Sequence, residues 1–285
     1  MLNLLTVDLE EWFVVEALSG RHEYDQWPEL PSTVVGNSRR LLALFEHKRV
    51  QATWFVLGYV AEQHPELIQE IVDHGHEIAC HSYRHCRVDK LSPEEFRQDT
   101  YRAANAIFGA VGFRPRGYRA PSWSMGPQSA WAFKVLAELG FAYDSSIFPI
   151  KHDIYGMPHG PREPFKMTFD DGLTLWEIPN STFRIFGRNL PLAGGGYLRH
   201  SPYWYSRWMI HNLNKQKLPA MVYIHPWELD PEPPRVEGLS PVQRFRTYGS
   251  TAILARKVER LLSEFEFTTI SDYLGTISRK RIGFE

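Results

Sequence analysis

The sequence predicts an α/β protein built on a parallel sheet. Three observations predict it. Short apolar runs of strand length alternate with amphipathic stretches through the first half of the chain. Helix start and stop signals punctuate the amphipathic stretches. The chain has 285 residues and is 43% apolar, enough for a sizeable core. Repeated strand–helix units of this kind make a barrel or an open doubly wound sheet. The absence of a Gly-rich phosphate loop after the first strand weighs against the dinucleotide-binding version.

The elements follow in order. Leu2 to Leu9 reads as a buried strand, and residues 33–48 carry Val34, Val35, Leu41, Leu42, Leu44 and Phe45 mostly at helical spacing. Ala52 to Leu57 is a second strand. Pro65 opens a helix through Leu67, Ile68, Ile71 and Val72, which Gly75 closes. Glu77 to His81 is a third strand. Ser92-Pro93-Glu94-Glu95 is a capping box with proline at the first helical position, so a helix runs to about Val111. Residues 128–139 form another helix, ended by Gly140, and Phe141 to Tyr143 begins another strand. Residues 150–172 read as a long loop. Asp171-Gly172, between Met167-Thr168-Phe169 and Leu173 to Trp176, signals a hairpin. Ala220 to His225 is a strongly apolar strand, 226–241 a Pro-rich loop, Ser250 to Phe265 a helix and Phe267 to Ile270 a last short strand. No clear linker interrupts this order, so one domain is expected over residues 1–285.

Composition excludes several classes. Phe, Trp and Tyr make up 14% of the chain, which is incompatible with general disorder. The formal net charge is −1, so there is no overall field for nucleic acid. Two cysteines cannot form a disulfide framework. Met1 to Leu9 has no basic start and reaches Asp8 early, unlike a signal peptide, and no apolar run approaches a membrane span. A cytoplasmic protein is expected, with peripheral membrane attachment left open.

Three clusters that could do chemistry lie at the C-terminal ends of expected strands, where α/β proteins carry their active sites. The first is Thr6-Val7-Asp8-Leu9-Glu10-Glu11. Alternation along a strand sends Asp8 and Glu10 one way and Glu11 the other. Two carboxylates on one face are costly to crowd unless a cation lies between them; a solvated strand end is the plainer reading. The second is His81-Ser82-Tyr83-Arg84-His85. Histidines at i and i+4 converge on one metal if the segment turns helically. Ser82 occupies the position where a zincin has its Glu, and Cys80 should point away as a small buried residue. Imidazoles suit zinc, iron, nickel or cobalt better than magnesium or calcium. The third is Val222 to Trp227, with His225 at the mouth of an apolar strand, a place for an acid–base residue or for a satisfied core histidine. Taken together, one carboxylate and two imidazoles form an open metal site, with an Asp and a His left for base and acid work, as metal-assisted hydrolysis requires.

At this point the chain resembles the NodB-type polysaccharide deacetylases (carbohydrate esterase family 4), in the branch associated with exopolysaccharide and exosortase systems. The matching segments are Val7 to Trp12, Gly75 to His85, Gly117-Tyr118-Arg119-Ala120-Pro121-Ser122, Tyr143 to Pro149, Gly194 to Tyr197 and Tyr223 to Asp230. They span nearly the whole chain, with a family-specific C-terminal helical extension over about 231–285. The resemblance implies a distorted (β/α) barrel and one divalent metal, with zinc first and cobalt, nickel, iron or manganese as alternatives. It implies hydrolysis of N-acetyl groups on an amino-sugar polymer, oligomer or lipid-linked precursor. Carried over by motif, Asp8 is the base, His81 and His85 are metal ligands, Arg119 orients the base, Asp144 tunes the catalytic histidine and His225 is the general acid. A backbone N–H near Ser122 stabilises the oxyanion, and Trp227, like Trp12 and Trp123, either meets the sugar or packs.

Two departures from the family pattern matter. Where the family's first motif, T-F-D-D-G, has a second Asp as ligand, this chain has Leu9; strand alternation nominates Glu10 instead, with Glu11 as fallback. The literal string Thr168-Phe169-Asp170-Asp171-Gly172 does occur, but late, where a hairpin turn explains it. The rival expectations are another amide hydrolase on the same fold, such as a deformylase or a cyclic-imide or ureide hydrolase, and a carbohydrate-binding protein without activity.

Overall fold

The computed structural model describes residues 1–152, 155–192 and 194–282, with side chains as far as Ile277. Asp153 and Ile154 of the expected loop, Ala193, and the last three residues of the expected extension lie outside the described residues.

The first half follows the expected alternation. β1 (Asn3–Leu9) leads to α1 (Val34–Lys48), β2 (Thr53–Val56), α2 (Gly58–Gln63), α3 (Pro65–Asp73), β3 (Glu77–Cys80), α4 (Pro93–Val111), β4 (Gly117–Tyr118), α5 (Trp131–Glu138) and β5 (Tyr143–Asp144). Ser92 caps α4 by accepting from the Glu95 N–H, while the Glu95 side chain accepts from the Ser92 N–H. Gly75, at φ 79°, takes the left-handed position after α3.

The second half is richer than expected. β6 (Phe165–Thr168) and β7 (Thr174–Glu177) form the foreseen hairpin, with Gly172 at φ 83° in its turn. A second hairpin, β8 (Thr182–Ile185) and β9 (Arg188–Pro191), was not foreseen, nor were α6 (Gly195–His200) and α7 (Tyr203–Lys215). β10 (Met221–Ile224) is the expected apolar strand. α8 (Pro241–Tyr248), α9 (Thr251–Glu264), β11 (Phe267–Thr268) and α10 (Ile270–Ile282) complete the described chain. Among the described residues no helix is long and apolar enough to cross a membrane.

The main sheet has the order β10-β1-β2-β3-β4-β5-β7-β6, with β11 also paired to β1. All these pairings are parallel except β6 with β7. The sheet is curled into a half-barrel, the distorted-barrel architecture the resemblance implied. Alternation along β1 sets up the site. Leu5, Val7 and Leu9 join the main core under the helices, so Leu4, Thr6 and Asp8 face the concave side. There Leu4 packs with Phe55, Ala79, Tyr143, Ile178, Met221 and Ile270. Ile270, Tyr273 and Leu274 of α10 thus plug the N-terminal end of the half-barrel. Its C-terminal end is left for chemistry.

Candidate active site

Asp8 and Glu10 sit at the end of β1 and just beyond it, and both are buried. A buried carboxylate must be paired or bonded. Asp8 Oδ1 accepts from Arg119 Nη1 at 2.6 Å. Arg119 is fully buried; it also donates to Thr6 Oγ1 and the Ser145 carbonyl, and its guanidinium lies 3.9 Å from the centre of the Phe55 ring. These contacts fix the arginine, and the arginine fixes one oxygen of Asp8.

Glu10 Oε2 is 2.9 Å from His85 Nε2 and 3.8 Å from His81 Nε2. The three ligand atoms lie within 4.8 Å of one another. His81 Nδ1 lies 2.8 Å from the Arg119 carbonyl oxygen, which holds its proton on Nδ1 and leaves Nε2 free as a ligand. Burial and the neighbouring His85 push the His81 imidazole down to about 3, so it is neutral, as a metal ligand must be. Burial alone would raise the Glu10 carboxyl; His85 and His225 beside it outweigh that and keep it below the usual range. The two histidines do not converge through a helical turn as their spacing suggested. Positive φ at Ser82 (63°) and His85 (57°) folds the segment back, and the Ser82 hydroxyl accepts from the His85 N–H. Glu11 turns away, accepting from Ser32 Oγ and the Thr33 N–H, so it is not brought to the trio. Glu10 Oε2 is buried with no hydrogen bond of good geometry. Such an acceptor, beside the ring nitrogens of two histidines, fits a divalent cation.

His225 follows β10, with Nε2 3.8 Å from Asp8 Oδ2 and 3.7 Å from Glu10 Oε1. Its Nδ1 is 2.8 Å from Glu228 Oε2, which also accepts from the His225 backbone N–H. Burial alone would lower this imidazole; the carboxylates of Glu228, Glu10 and Asp8 outweigh it and raise it to about 9. Glu228 is fully buried and forms a second ion pair with Arg199 Nε at 2.7 Å. Arg199 in turn donates to the carbonyls of Arg246, Thr247 and Gly249 at the end of α8.

Glu228 therefore holds the position expected of Asp144. Asp144 is buried elsewhere, accepting from the N–H and hydroxyl of Ser146, next to Glu177. Burial raises both carboxyls, and the charge of Asp144 raises Glu177 further. They brace the segment after β5 rather than the histidine. Motif order alone does not find Glu228; the His-Pro-x-Glu spacing of a capped turn was the available signal.

A cavity of about 860 Å³ collects Asp8, Glu10, His81, His85, Ser122 and His225. Ser122 lies at φ 52° and donates to Glu16 Oε2 at 2.6 Å. Trp123 and Trp227 line the cavity, but Trp227 Nε1 donates to Glu10 Oε1, so that ring steadies the carboxylate. Trp12 is packing: it is buried and donates to the Pro31 carbonyl. Gly194 and Gly195 let the chain cross the Tyr223 ring, which a Cβ at Gly194 would approach to 2.0 Å. Asp170 and Asp171 are exposed in the β6–β7 turn, Asp171 paired with Lys134, and neither lines the cavity.

The family models match in two segments. Residues 24–143 match Polysaccharide deacetylase, and residues 145–275 match Domain of unknown function (DUF3473), which is found in the exopolysaccharide-associated branch. A peptidoglycan deacetylase of Helicobacter pylori is 33% identical over 108 residues, 38% of this chain and 36% of that protein. A chitooligosaccharide deacetylase of Bradyrhizobium is 41% identical over 83 residues, 28% of this chain and 37% of that protein. The chain spans little more than a third of the length of these relatives. Among solved structures, a candidate polysaccharide deacetylase from Mycobacterium smegmatis covers 98% of this chain and 92% of its own, at 21% identity and TM-score 0.63. An allantoinase covers 93% of this chain and 85% of its own, at 18% and TM-score 0.58. At these identities the likeness is one of fold, and it is shared by proteins named for different activities. The motifs, the half-barrel and the two sequence matches agree: this chain carries a polysaccharide deacetylase domain of the NodB type, followed by the DUF3473 segment found in the exopolysaccharide-associated branch.

Proposed function

We propose that the protein is a metal-dependent hydrolase that removes N-acetyl groups from amino sugars of a bacterial exopolysaccharide or its precursor, with zinc as the ion its donor set suits best. The supporting observation is that Asp8–Arg119 and His225–Glu228 meet the Glu10, His81 and His85 trio in one cavity. A divalent ion held by that trio supplies Lewis acidity, which acidifies water and polarises an amide carbonyl.

The chain's own groups do the rest. Arg119 occupies Asp8 Oδ1, leaving Oδ2 to accept the proton of the attacking water. A backbone N–H beside Ser122 donates to the oxyanion as the carbonyl becomes tetrahedral. His225, its Nδ1 tied to Glu228, carries a proton on Nε2 and delivers it to the departing amine nitrogen. The amide C–N bond breaks, leaving acetate and a free amino sugar.

One domain suffices for this reading. β10, from the second matched segment, is hydrogen-bonded directly to β1, which precedes the first. The test is metal analysis combined with an acetate-release assay on N-acetylglucosamine oligomers and on lipid-linked precursors. Stoichiometric metal with acetate release supports the proposal. A chain that holds metal but opens a cyclic ureide and frees no acetate overturns it.

A further inference from the structure

Between Glu177 and Glu228 the sequence contains no acidic residue, yet it carries Arg184, Arg188, Arg199, Arg207, Lys215 and Lys217, in a chain whose net charge is −1. Arg199 and Arg207 are paired with Glu228 and Glu264. The other four are exposed and have no ion-pair partner among the described residues. The same stretch displays large aromatics: Phe186 is 101% exposed, Trp204 67% and Trp208 42%.

The β8–β9 hairpin and α7 carry the aromatics and Lys215 side by side, and strand alternation puts Arg188 on the Phe183 face of the hairpin and Arg184 on the other, so the two arginines flank its tip. Trp204 and Trp208 are one turn apart on α7, with Lys215 further along the same helix. The Phe183 ring of β8 meets the Trp208 ring at 5.1 Å, joining the β8–β9 hairpin to that helix. Phe186 stands at the hairpin tip, three residues beyond Phe183 and about 10 Å further out. The tip is a two-residue turn with φ 48° at Phe186 and φ 78° at Gly187. That turn favours Asn-Gly, and a bulky ring is unusual in its first position.

We propose that this surface docks on an anionic lipid bilayer. Exposed aromatics among unpaired cations are the composition of an interfacial anchor. A ring that stacks on a sugar lies against a groove wall; Phe186 projects from a convex tip, where it can enter the headgroup region. The surface is also continuous with the cavity mouth. Pro191 at the end of β9 and Tyr205 of α7 both line the cavity, and Tyr205 Oη donates to the Pro191 carbonyl. Resting on the proposed function, docking would present the site with an amino sugar carried on a lipid.

The test is co-sedimentation of the full chain with vesicles of phosphatidylcholine alone, or mixed equally with phosphatidylglycerol, at low and high salt. The protein should bind the mixed vesicles, lose binding at high salt, and ignore phosphatidylcholine alone. Arg184→Glu with Arg188→Glu should weaken binding by about tenfold or more. Phe186→Asn should weaken it by about tenfold while its melting temperature stays level or rises, because Asn-Gly suits the turn. Acetate release from soluble N-acetylglucosamine oligomers should be unchanged in both variants, whose altered residues lie outside the cavity. The proposal is overturned if the wild type ignores anionic vesicles or if the variants bind as it does. It is also overturned if the substitutions instead dissolve a dimer or abolish capture of an acidic polysaccharide. Vesicle binding without any deacetylation would sustain the docking surface and defeat the catalytic reading alone.

Discussion

At the scale of single residues, a one-position shift separates Glu10 from the family pattern. Leu9 faces the helices and cannot reach the concave side, whereas Glu10 stays in step with Asp8. This was legible from strand alternation alone. Asp8→Asn should keep its metal and lose kcat by about 10²- to 10⁴-fold, measured as acetate release beside metal content. Full-rate turnover by that variant would remove Asp8 from the role of base. The partner of His225 was not legible, because motif order pointed to Asp144 and only the turn at Pro226–Leu229 brings Glu228 under the ring. Glu228→Gln removes a carboxylate that raises His225, so the imidazole should lose its proton at lower pH. The basic limb of the pH–rate profile should therefore move toward acid, with kcat down by at least about tenfold. A variant with lower stability but an unmoved profile would reduce Glu228 to packing.

Among the elements, the β6–β7 hairpin separates motif from site. Its Thr168-Phe169-Asp170-Asp171-Gly172 turn copies the family string, yet Asp171 serves only to accept from the Leu173 N–H and pair with Lys134. Replacing both Asp170 and Asp171 with Asn should leave metal content and acetate release intact; lost metal in a folded variant would place the site there. Legibility among elements followed punctuation. α3 and α4 each start with a Pro, Gly75 follows the end of α3 and a capping box opens α4, so the sequence marks both nearly to the residue. α6 begins in glycines, α7 has half-buried and exposed aromatics in place of a clean apolar stripe, and the β8–β9 turn is Phe-Gly rather than Asn-Gly, so the usual signals are missing. α10, within the helical extension the resemblance implied, closes the opposite end of the half-barrel. Ile270 is completely buried in the plug, and its N–H donates to Thr53 Oγ1 at the start of β2. Ile270→Ala should cost about 2–5 kcal/mol in urea denaturation. Because it lies at the end of the half-barrel away from the site, kcat should hold once the variant is folded.

For the whole molecule, the question is whether the two matched segments are two bodies or one. β1 pairs with β2 from the first segment and with β10 and β11 from the second, so the central strand depends on chain more than 200 residues away. The site is divided the same way: His81, His85 and Arg119 belong to the first match, His225 and Glu228 to the second, and Asp8 and Glu10 precede both. A fragment ending at Tyr143 would leave one edge of β1 bare and the plug around Leu4 and Phe55 open. Bare apolar edges of this kind aggregate rather than fold. Expressed alone, residues 1–143 should show no cooperative thermal transition and no near-ultraviolet circular dichroism, and mixing them with 144–285 should restore both along with metal binding. A fragment that melts cooperatively by itself would mean that the deacetylase segment is an independent body, and that the pairing of β1 with β10 adds the acid half of the site to a fold already complete.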